Sequence, residues 1–425
     1  MSFTKFIVYS RPLFPFIKSD MKKTTFFSAC LSILWIYMLL LLPSCNDNDP
    51  EVVPEESIQS KVVKDFYLAD LKELLKNNNL PDITGFIDGN TDEIRVQALK
   101  VSCKSGHPDG SADEIDLSGI LLLPHSSDRA TSYPQIIAPP FTYTLNAEAP
   151  SIQYASDDVL QSLKEYLVCW TMVAADGYVV IIPDYPGFGD SHGQCFTPYV
   201  EAKPLVRTTL DFIMAADQVA GENGYVCRPE LDVCGYSQGA YVAASLAREL
   251  ETNASHGYTV DLLMIGGTPC NLLQIAGLAM ASDVFSPSYF LPYAIWGYKK
   301  NGYPDLNIAA LLLEPYAGNS FQYFDGFYPD IDHAFPEKTA ELYTEAFRQG
   351  DQAENSLKPW KNRCEFLMIH GMEDRSVYFQ NAKDYAEEHR SAGGTVTFTS
   401  VPGDHGQAGT AYFLQVITRF IILKN

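Results

Sequence analysis

Six short, mostly apolar runs recur along the chain: QIIA at 135–138, YVVII at 178–182, LDVC at 231–234, LLMI at 262–265, EFLMI at 365–369 and VTFTSV at 396–401. Segments with helical periodicity, at 201–218, 239–252, 379–390 and 409–421, separate most of them. A strand reads as an unbroken apolar run only when helices cover both of its faces, which is the situation of a buried parallel strand. The alternation therefore predicts an α/β class: a doubly wound, mostly parallel sheet. Upstream, EIRVQALKVSCK at 93–104 alternates with period two and IDLSGILLLP follows at 115–124, which predicts an antiparallel pair at the sheet edge. Residues 62–78 place Phe66, Leu68, Leu71 and Leu75 at helical spacing and predict a helix. The interval 268–360 breaks the rhythm: it lacks an obvious sheet strand and is rich in aromatics between Phe285 and Tyr328. A structureless loop of that length is uncommon, so the interval predicts a mainly helical cap inserted into a core formed by 62–267 and 361–425. Its aromatics would form either the cap's own core or a substrate surface.

Composition narrows the function classes. With 425 residues, 46% hydrophobic and 19% charged, the chain can bury a large core and is not of disordered composition. Residues 1–45 hold five of the 30 Lys/Arg and one of the 52 Asp/Glu, which leaves 25 basic against 51 acidic side chains and a formal charge of −26 beyond them. No basic run follows Lys23, which argues against a nucleic-acid partner. The N-terminus carries Met21-Lys22-Lys23, the apolar run TTFFSACLSILWIYMLLLLPSC and then the acidic NDNDPEVVPEE. A basic start, an apolar stretch and a small residue before the break read as a secretory signal over 1–45, with Met21 as a better start than Met1. Leu42-Pro43-Ser44-Cys45 resembles the lipobox of bacterial lipoproteins, with Cys45 as the lipidated residue. An uncleaved anchor is the alternative, since the run is long enough to span. Residues 46–61 read as a tether, and the expected location is the cell envelope, held to the outer membrane or cell surface by the lipid anchor only. Seven cysteines follow Cys45 without CxxC or His-Cys spacing, so no metal site is expected, and their odd number leaves at least one free.

The chemistry centres on two copies of one pattern. Gly-x-Ser-x-Gly occurs at 189–193 (GDSHG) and at 235–239 (GYSQG), so the pattern alone does not choose a nucleophile. Context does. LDVC runs directly into Gly235, and Gly239 opens the helical AYVAASLAREL, the strand–turn–helix setting in which glycines permit a sharply strained serine. Ser191 is separated from its strand by PDYPGF and is followed by QCFTP, which starts no helix. Ser237 is the expected nucleophile, and PDYPGFGDS reads as a glycine-rich loop. A serine hydroxyl needs a base, and the base needs a third group to hold it. Two loops that each follow a strand supply candidates: His370-Gly-Met-Glu373-Asp374 and Pro402-Gly-Asp-His405. His107, His125 and His256 fall in hydrophilic turns, His333 lies in the cap and His389 ends a polar helix.

These residues resemble the α/β-hydrolase superfamily over about 90–425, where nucleophile, acid and histidine follow in that order. That order assigns Ser237, Asp374 and His405, with Glu373 a rival acid and His370 orienting the acid. PDYPGFGDS, the helix ending near Asp217 and LDVCGYSQGA are similar to the secretory-lipase and esterase-like branch, with Ala240 in place of a third glycine. The branch carries His-Gly-Thr after the strand equivalent to QIIA, whereas this chain has Pro139-Pro140-Phe141-Thr142. The resemblance implies an oxyanion hole built from the backbone N–H of Gln238 and that of Phe141 or Thr142, since a proline donates nothing. It also implies ester hydrolysis through an acyl-enzyme without cofactor, acting on a small-molecule, glycan or lipid ester. A peptidase or amidase on the same fold, or a non-catalytic surface binding lipoprotein, would share much of this sequence.

Overall fold

The computed structural model describes residues 58–87, 93–125, 132–281, 290–303, 305–307 and 355–423. The expected signal segment with Cys45, tether residues 46–57 and most of the cap, His333 included, lie outside the described residues. A nine-stranded sheet runs in the order β1-β2-β3-β5-β4-β6-β7-β8-β9. Its strands are β1 (Gln59–Tyr67), β2 (Ile94–Gly106), β3 (Glu114–Pro124), β4 (Tyr133–Ile137), β5 (Val179–Pro183), β6 (Cys227–Tyr236), β7 (Thr259–Gly266), β8 (Glu365–Gly371) and β9 (Thr397–Val401). The pairings from β5 through β9 are parallel, and β1, β2, β3 and β5 pair antiparallel in turn.

The main helices are α1 (Leu68–Asn77), α2 (Glu165–Ala175), α3 (Ala202–Glu222), α4 (Gln238–Thr252), α5 (Leu272–Ala281), α6 (Phe290–Asn301), α7 (Phe379–Ser391) and α8 (His405–Ile417). Two hydrophobic cores cover the sheet: α3, α4 and α7 pack into one with the alternate side chains Val233, Leu263 and Met368, while α1, α2 and α8 pack into the other with Cys234, Met264 and Ile369. Successive residues in the latter halves of the central strands thus reach a dry interior on either face, which is why those strands read as apolar runs.

The structure departs from the sequence expectations at several points. The helix predicted over 62–78 is strand through Tyr67 and helix only from Leu68, and β1 rather than the β2–β3 pair forms the outer edge. Phe66, Leu68, Leu71 and Leu75 are all buried as expected, so the apolar positions were informative but did not distinguish one helix from a strand–helix corner. Pairing to β2 decides the matter, and Asp70 accepts the Tyr67 N–H at 2.9 Å where the helix begins. Because β1 starts at Gln59, residues 59–61 belong to the sheet and not to the tether. Helix α2 had no sequence signal: LVCWTMVAA is buried on every side, and a helix apolar all round shows no amphipathic period. His389, placed at the end of a polar helix, is fully buried against Trp360, Phe366 and Tyr385, 3.1 Å from Asn362 Oδ1.

The cap interval 268–360 is described at its ends. There α5 and α6 are helical, and residues 355–360 are tied to the core, the Leu357 N–H donating to the Cys270 carbonyl at 2.8 Å and the Tyr241 hydroxyl to the Asn355 carbonyl at 2.6 Å. Glu201, at the start of α3, is buried against α6 and accepts the Asn301 amide at 3.0 Å. Burial pushes its carboxyl up to about 8, against the lowering effect of the Asn301 hydrogen bond. The seven cysteines after Cys45 are free thiols, and Cys234 and Cys364 are buried as small apolar groups.

Candidate active site

Strand β6 delivers Tyr236 to the carboxyl edge of the sheet, and the chain turns there into α4 through Ser237. The serine holds φ 56° and ψ −121°, a left-handed conformation that a non-glycine residue rarely adopts. Collisions explain the flanking glycines. A Cβ at Gly235 would lie 2.3 Å from the backbone carbonyl of Gly239, and one at Gly239 would lie 2.2 Å from the Pro139 carbonyl oxygen. Backbone atoms cannot swing away, so both positions exclude a side chain. The Ser237 N–H donates to the Gly266 carbonyl at 2.8 Å, which ties the turn to β7.

Two loops converge on the serine hydroxyl. His405 opens α8, and its Nε2 lies 3.0 Å from Ser237 Oγ while its Nδ1 lies 2.7 Å from Asp374 Oδ2. The other Asp374 oxygen accepts the N–H groups of Ser376 and Val377 at 2.9 and 2.8 Å. His370, fully buried, sets its Nε2 2.8 Å from the Val377 carbonyl and 3.3 Å from Asp374 Oδ2. Burial alone would raise the Asp374 pKa, but the hydrogen bonds from His370 and His405 outweigh it and hold the carboxyl at about 2. Asp374 is thus a carboxylate throughout the neutral range. The neighbouring Glu373 turns the other way, and its carboxylate accepts the Gly403 N–H.

The oxyanion candidates lie around the elbow. Gln238 is the first residue of α4, where the helical pattern leaves its N–H without an intrahelical acceptor. Pro139 and Pro140 press their carbonyls against Gly239, and the following Thr142 hydroxyl is 3.3 Å from Tyr199 Oη. Phe141 packs its ring 4.3 Å from that of Tyr166. Ser191 is elsewhere and occupied: its Oγ accepts the Gly187 N–H at 2.9 Å and donates to the Phe188 carbonyl at 2.8 Å. Among the described residues no cluster of metal-ligating side chains occurs.

Residues 168–409, more than half of the chain, match the family described as "Alpha/beta hydrolase family". The chain belongs to the alpha/beta hydrolase family. Solved structures share the fold at low identity. The rice cell wall degrading esterase LipA from Xanthomonas oryzae aligns with TM-score 0.66 and 19% identity over 86% of this chain and 96% of its own. A protein from Legionella pneumophila aligns with TM-score 0.71 and 19% identity, covering 85% and 96%. Candida antarctica lipase A in its closed state aligns with TM-score 0.58 and 15% identity, covering 86% and 82%. No protein of curated function matches the chain by sequence.

Two supports of this site depend on contacts between residues distant in the sequence. The PDYPGFGDS loop holds the Pro139-Pro140 segment that packs against Gly239: Tyr185 donates its hydroxyl to the Pro140 carbonyl, and the buried Asp184 accepts Ser118 Oγ at 2.5 Å and the Ser151 N–H at 3.0 Å. Burial raises the Asp184 carboxyl above its usual range, against those donors. The second is the pair Gly266-Gly267 at the end of β7, where added Cβ atoms would strike the Tyr236 ring at 2.8 and 2.7 Å. The doubled glycine was visible in the sequence, but its purpose depends on a ring thirty residues away.

Proposed function

We propose that the protein is a serine carboxylic-ester hydrolase working through an acyl-enzyme. The observation that carries this reading is the continuous hydrogen-bonded run from Asp374 through His405 to the strained Ser237. The Asp374 carboxylate accepts a hydrogen bond from Nδ1–H and stays ionised, which leaves the lone pair on Nε2 to receive the Ser237 proton as Oγ attacks the ester carbonyl. Negative charge on the former carbonyl oxygen is met by the Gln238 N–H and by that of Phe141 or Thr142, each such donor being worth about 3 kcal/mol. The imidazolium then protonates the departing alcohol. Water attacks the acyl-serine with His405 again as base, the acid leaves and Ser237 regains its proton.

Similarity to an esterase and a lipase favours esters over peptides, and the aromatic cap interval favours small-molecule, glycan or lipid esters with apolar groups. We further propose envelope anchoring through lipidated Cys45, testable by fatty-acid labelling of wild type against Cys45→Ala. For the hydrolase reading, the decisive test is hydrolysis of a chromogenic short-chain ester, together with fluorophosphonate labelling. The wild type should react by both and Ser237→Ala by neither. Full turnover in the mutant overturns the assignment. Cleavage of aminopeptide but not ester substrates would move the activity to peptide bonds.

A further inference from the structure

The tyrosine inside GYSQG is not required by the elbow, because the middle position before the nucleophile tolerates many side chains. Here it is buried and does something specific. The Tyr236 hydroxyl donates to the backbone carbonyl of His405, and its ring lies 5.1 Å from the His405 imidazole and 5.5 Å from Tyr412. Three glycines on two other elements make room for it. Cβ atoms at Gly266, Gly267 and Gly409 would come within 2.8, 2.7 and 3.2 Å of the ring, and one at Gly267 would also meet His405 Cε1 at 2.9 Å. Gly267 additionally holds φ +56°.

We propose that Tyr236 is a positioning residue that fixes the base relative to the nucleophile. The inference rests on the serine-hydrolase reading above. His405 is the first residue of α8, so its backbone is set by a helix start rather than by the middle of a regular element. Asp404 caps that start by accepting the Gln407 N–H at 3.0 Å, and Asp374 holds Nδ1. Neither contact ties the His405 main chain to the strand that carries Ser237. Tyr236 does so directly, being bonded covalently to Ser237 on one side and by its hydroxyl to residue 405 on the other. Helical geometry also directs the Gly409 N–H at the same carbonyl, so the oxygen's two lone pairs serve the helix and Tyr236 together. Burial and the nearby Asp374 and Asp404 carboxylates push the phenol well above its usual range, so it remains a donor at every working pH.

Reactive geometry tolerates little drift, since a displacement near 1 Å can cost about 10²-fold in rate. Tyr236→Phe keeps the ring and removes only the donor. The expected result is a roughly tenfold fall in kcat with KM within about twofold of wild type, a matching fall in the fluorophosphonate labelling rate, and loss or broadening of the downfield Nδ1 proton resonance of His405. Tyr225→Phe supplies the stability control, because Tyr225 donates to the Pro124 carbonyl at 2.8 Å in the other core cluster. It should lose comparable thermal stability and keep wild-type kcat and resonance. Labelling and turnover of Tyr236→Phe equal to wild type, or an equal loss in Tyr225→Phe, overturns the positioning role and leaves the hydrolase reading standing. A wild type that neither labels nor turns over esters overturns both.

Discussion

Replacing Asp374 by asparagine should do more than remove a charge, and the structure says why. One carboxylate oxygen accepts two backbone N–H groups, from Ser376 and Val377, at 2.9 and 2.8 Å. An asparagine must put its carbonyl oxygen there, since an amide NH₂ at that point would leave two buried donors facing a third. The NH₂ is then forced into the Oδ2 position, 2.7 Å from His405 Nδ1 and 3.3 Å from His370 Nε2. It offers a proton to a nitrogen that should be giving one. The imidazole answers by moving its hydrogen to Nε2, and the lone pair facing Ser237 is lost. A triad with the wrong tautomer loses about 10⁴ in kcat, which corresponds to about 5 kcal/mol of transition-state stabilisation. Chromogenic ester turnover gives the number, and a circular-dichroism melt confirms that the variant is folded. Glu373→Ala is the comparison: its carboxylate serves the Gly403 N–H, so turnover should fall by no more than about threefold. Asp374→Asn retaining a tenth of wild-type activity, or Glu373→Ala losing as much as Asp374→Asn, would refute the reasoning.

Gly239→Ala drives a Cβ to 2.2 Å from the Pro139 carbonyl oxygen and should cost about 3 kcal/mol in urea unfolding, with activity lost even in the folded fraction. Ser191→Ala should keep wild-type ester turnover while losing about 1 kcal/mol, because the half-buried Gly187 N–H loses its acceptor. Glu201→Gln should stabilise, and the gain should grow with pH. The native carboxyl holds its proton up to about 8 whereas the unfolded one releases it near its ordinary 4.5, so wild-type stability declines across that window and levels off above it. Unfolding at pH 5 and pH 8 should therefore show the variant's advantage larger by about 3 kcal/mol at the higher pH, and a pH-independent difference would reject the buried-acid account.

The parts of the molecule legible in the sequence are those whose burial is decided locally or by periodicity. Val179–Pro183 and Leu262–Ile265 read as parallel strands because both faces of each are dry. Ser237 was separable from Ser191 because its glycines sit between a strand and a helix, and the collisions at Gly235 and Gly239 are the physical content of that pattern. What the sequence hid was decided by partners distant along the chain. Residues 62–67 carry helix-compatible apolar spacing, and only β2 lying alongside makes them a strand. His389 sits in a polar-looking helix end, yet its ring fills a space between Trp360 and Phe366. Asp374 is the expected acid with Glu373 its rival, and a single residue's step around the loop turns the Asp374 carboxylate to the imidazole and the Glu373 carboxylate to Gly403.

The elbow also shows why the site cannot be a local invention of its five residues. A left-handed serine costs on the order of 1–3 kcal/mol, while the one hydrogen bond made by the Ser237 N–H returns about 1 kcal/mol net. The turn therefore stands only when its surroundings over-determine it. Those surroundings are the Gly266 carbonyl of β7, the Pro139 and Pro140 carbonyls after β4, and the start of α4. The β4 loop is in turn held by the Tyr185 hydroxyl from the loop after β5. Loops after β4, β5 and β7 thus have to be in place for the serine to hold its strained shape. His405 and Asp374 arrive from the loops after β9 and β8, on the far side of β7, and close the same ring of contacts. A substitution that loosens any of these strand ends should be felt as lost reactivity at Ser237 before it is felt as lost fold.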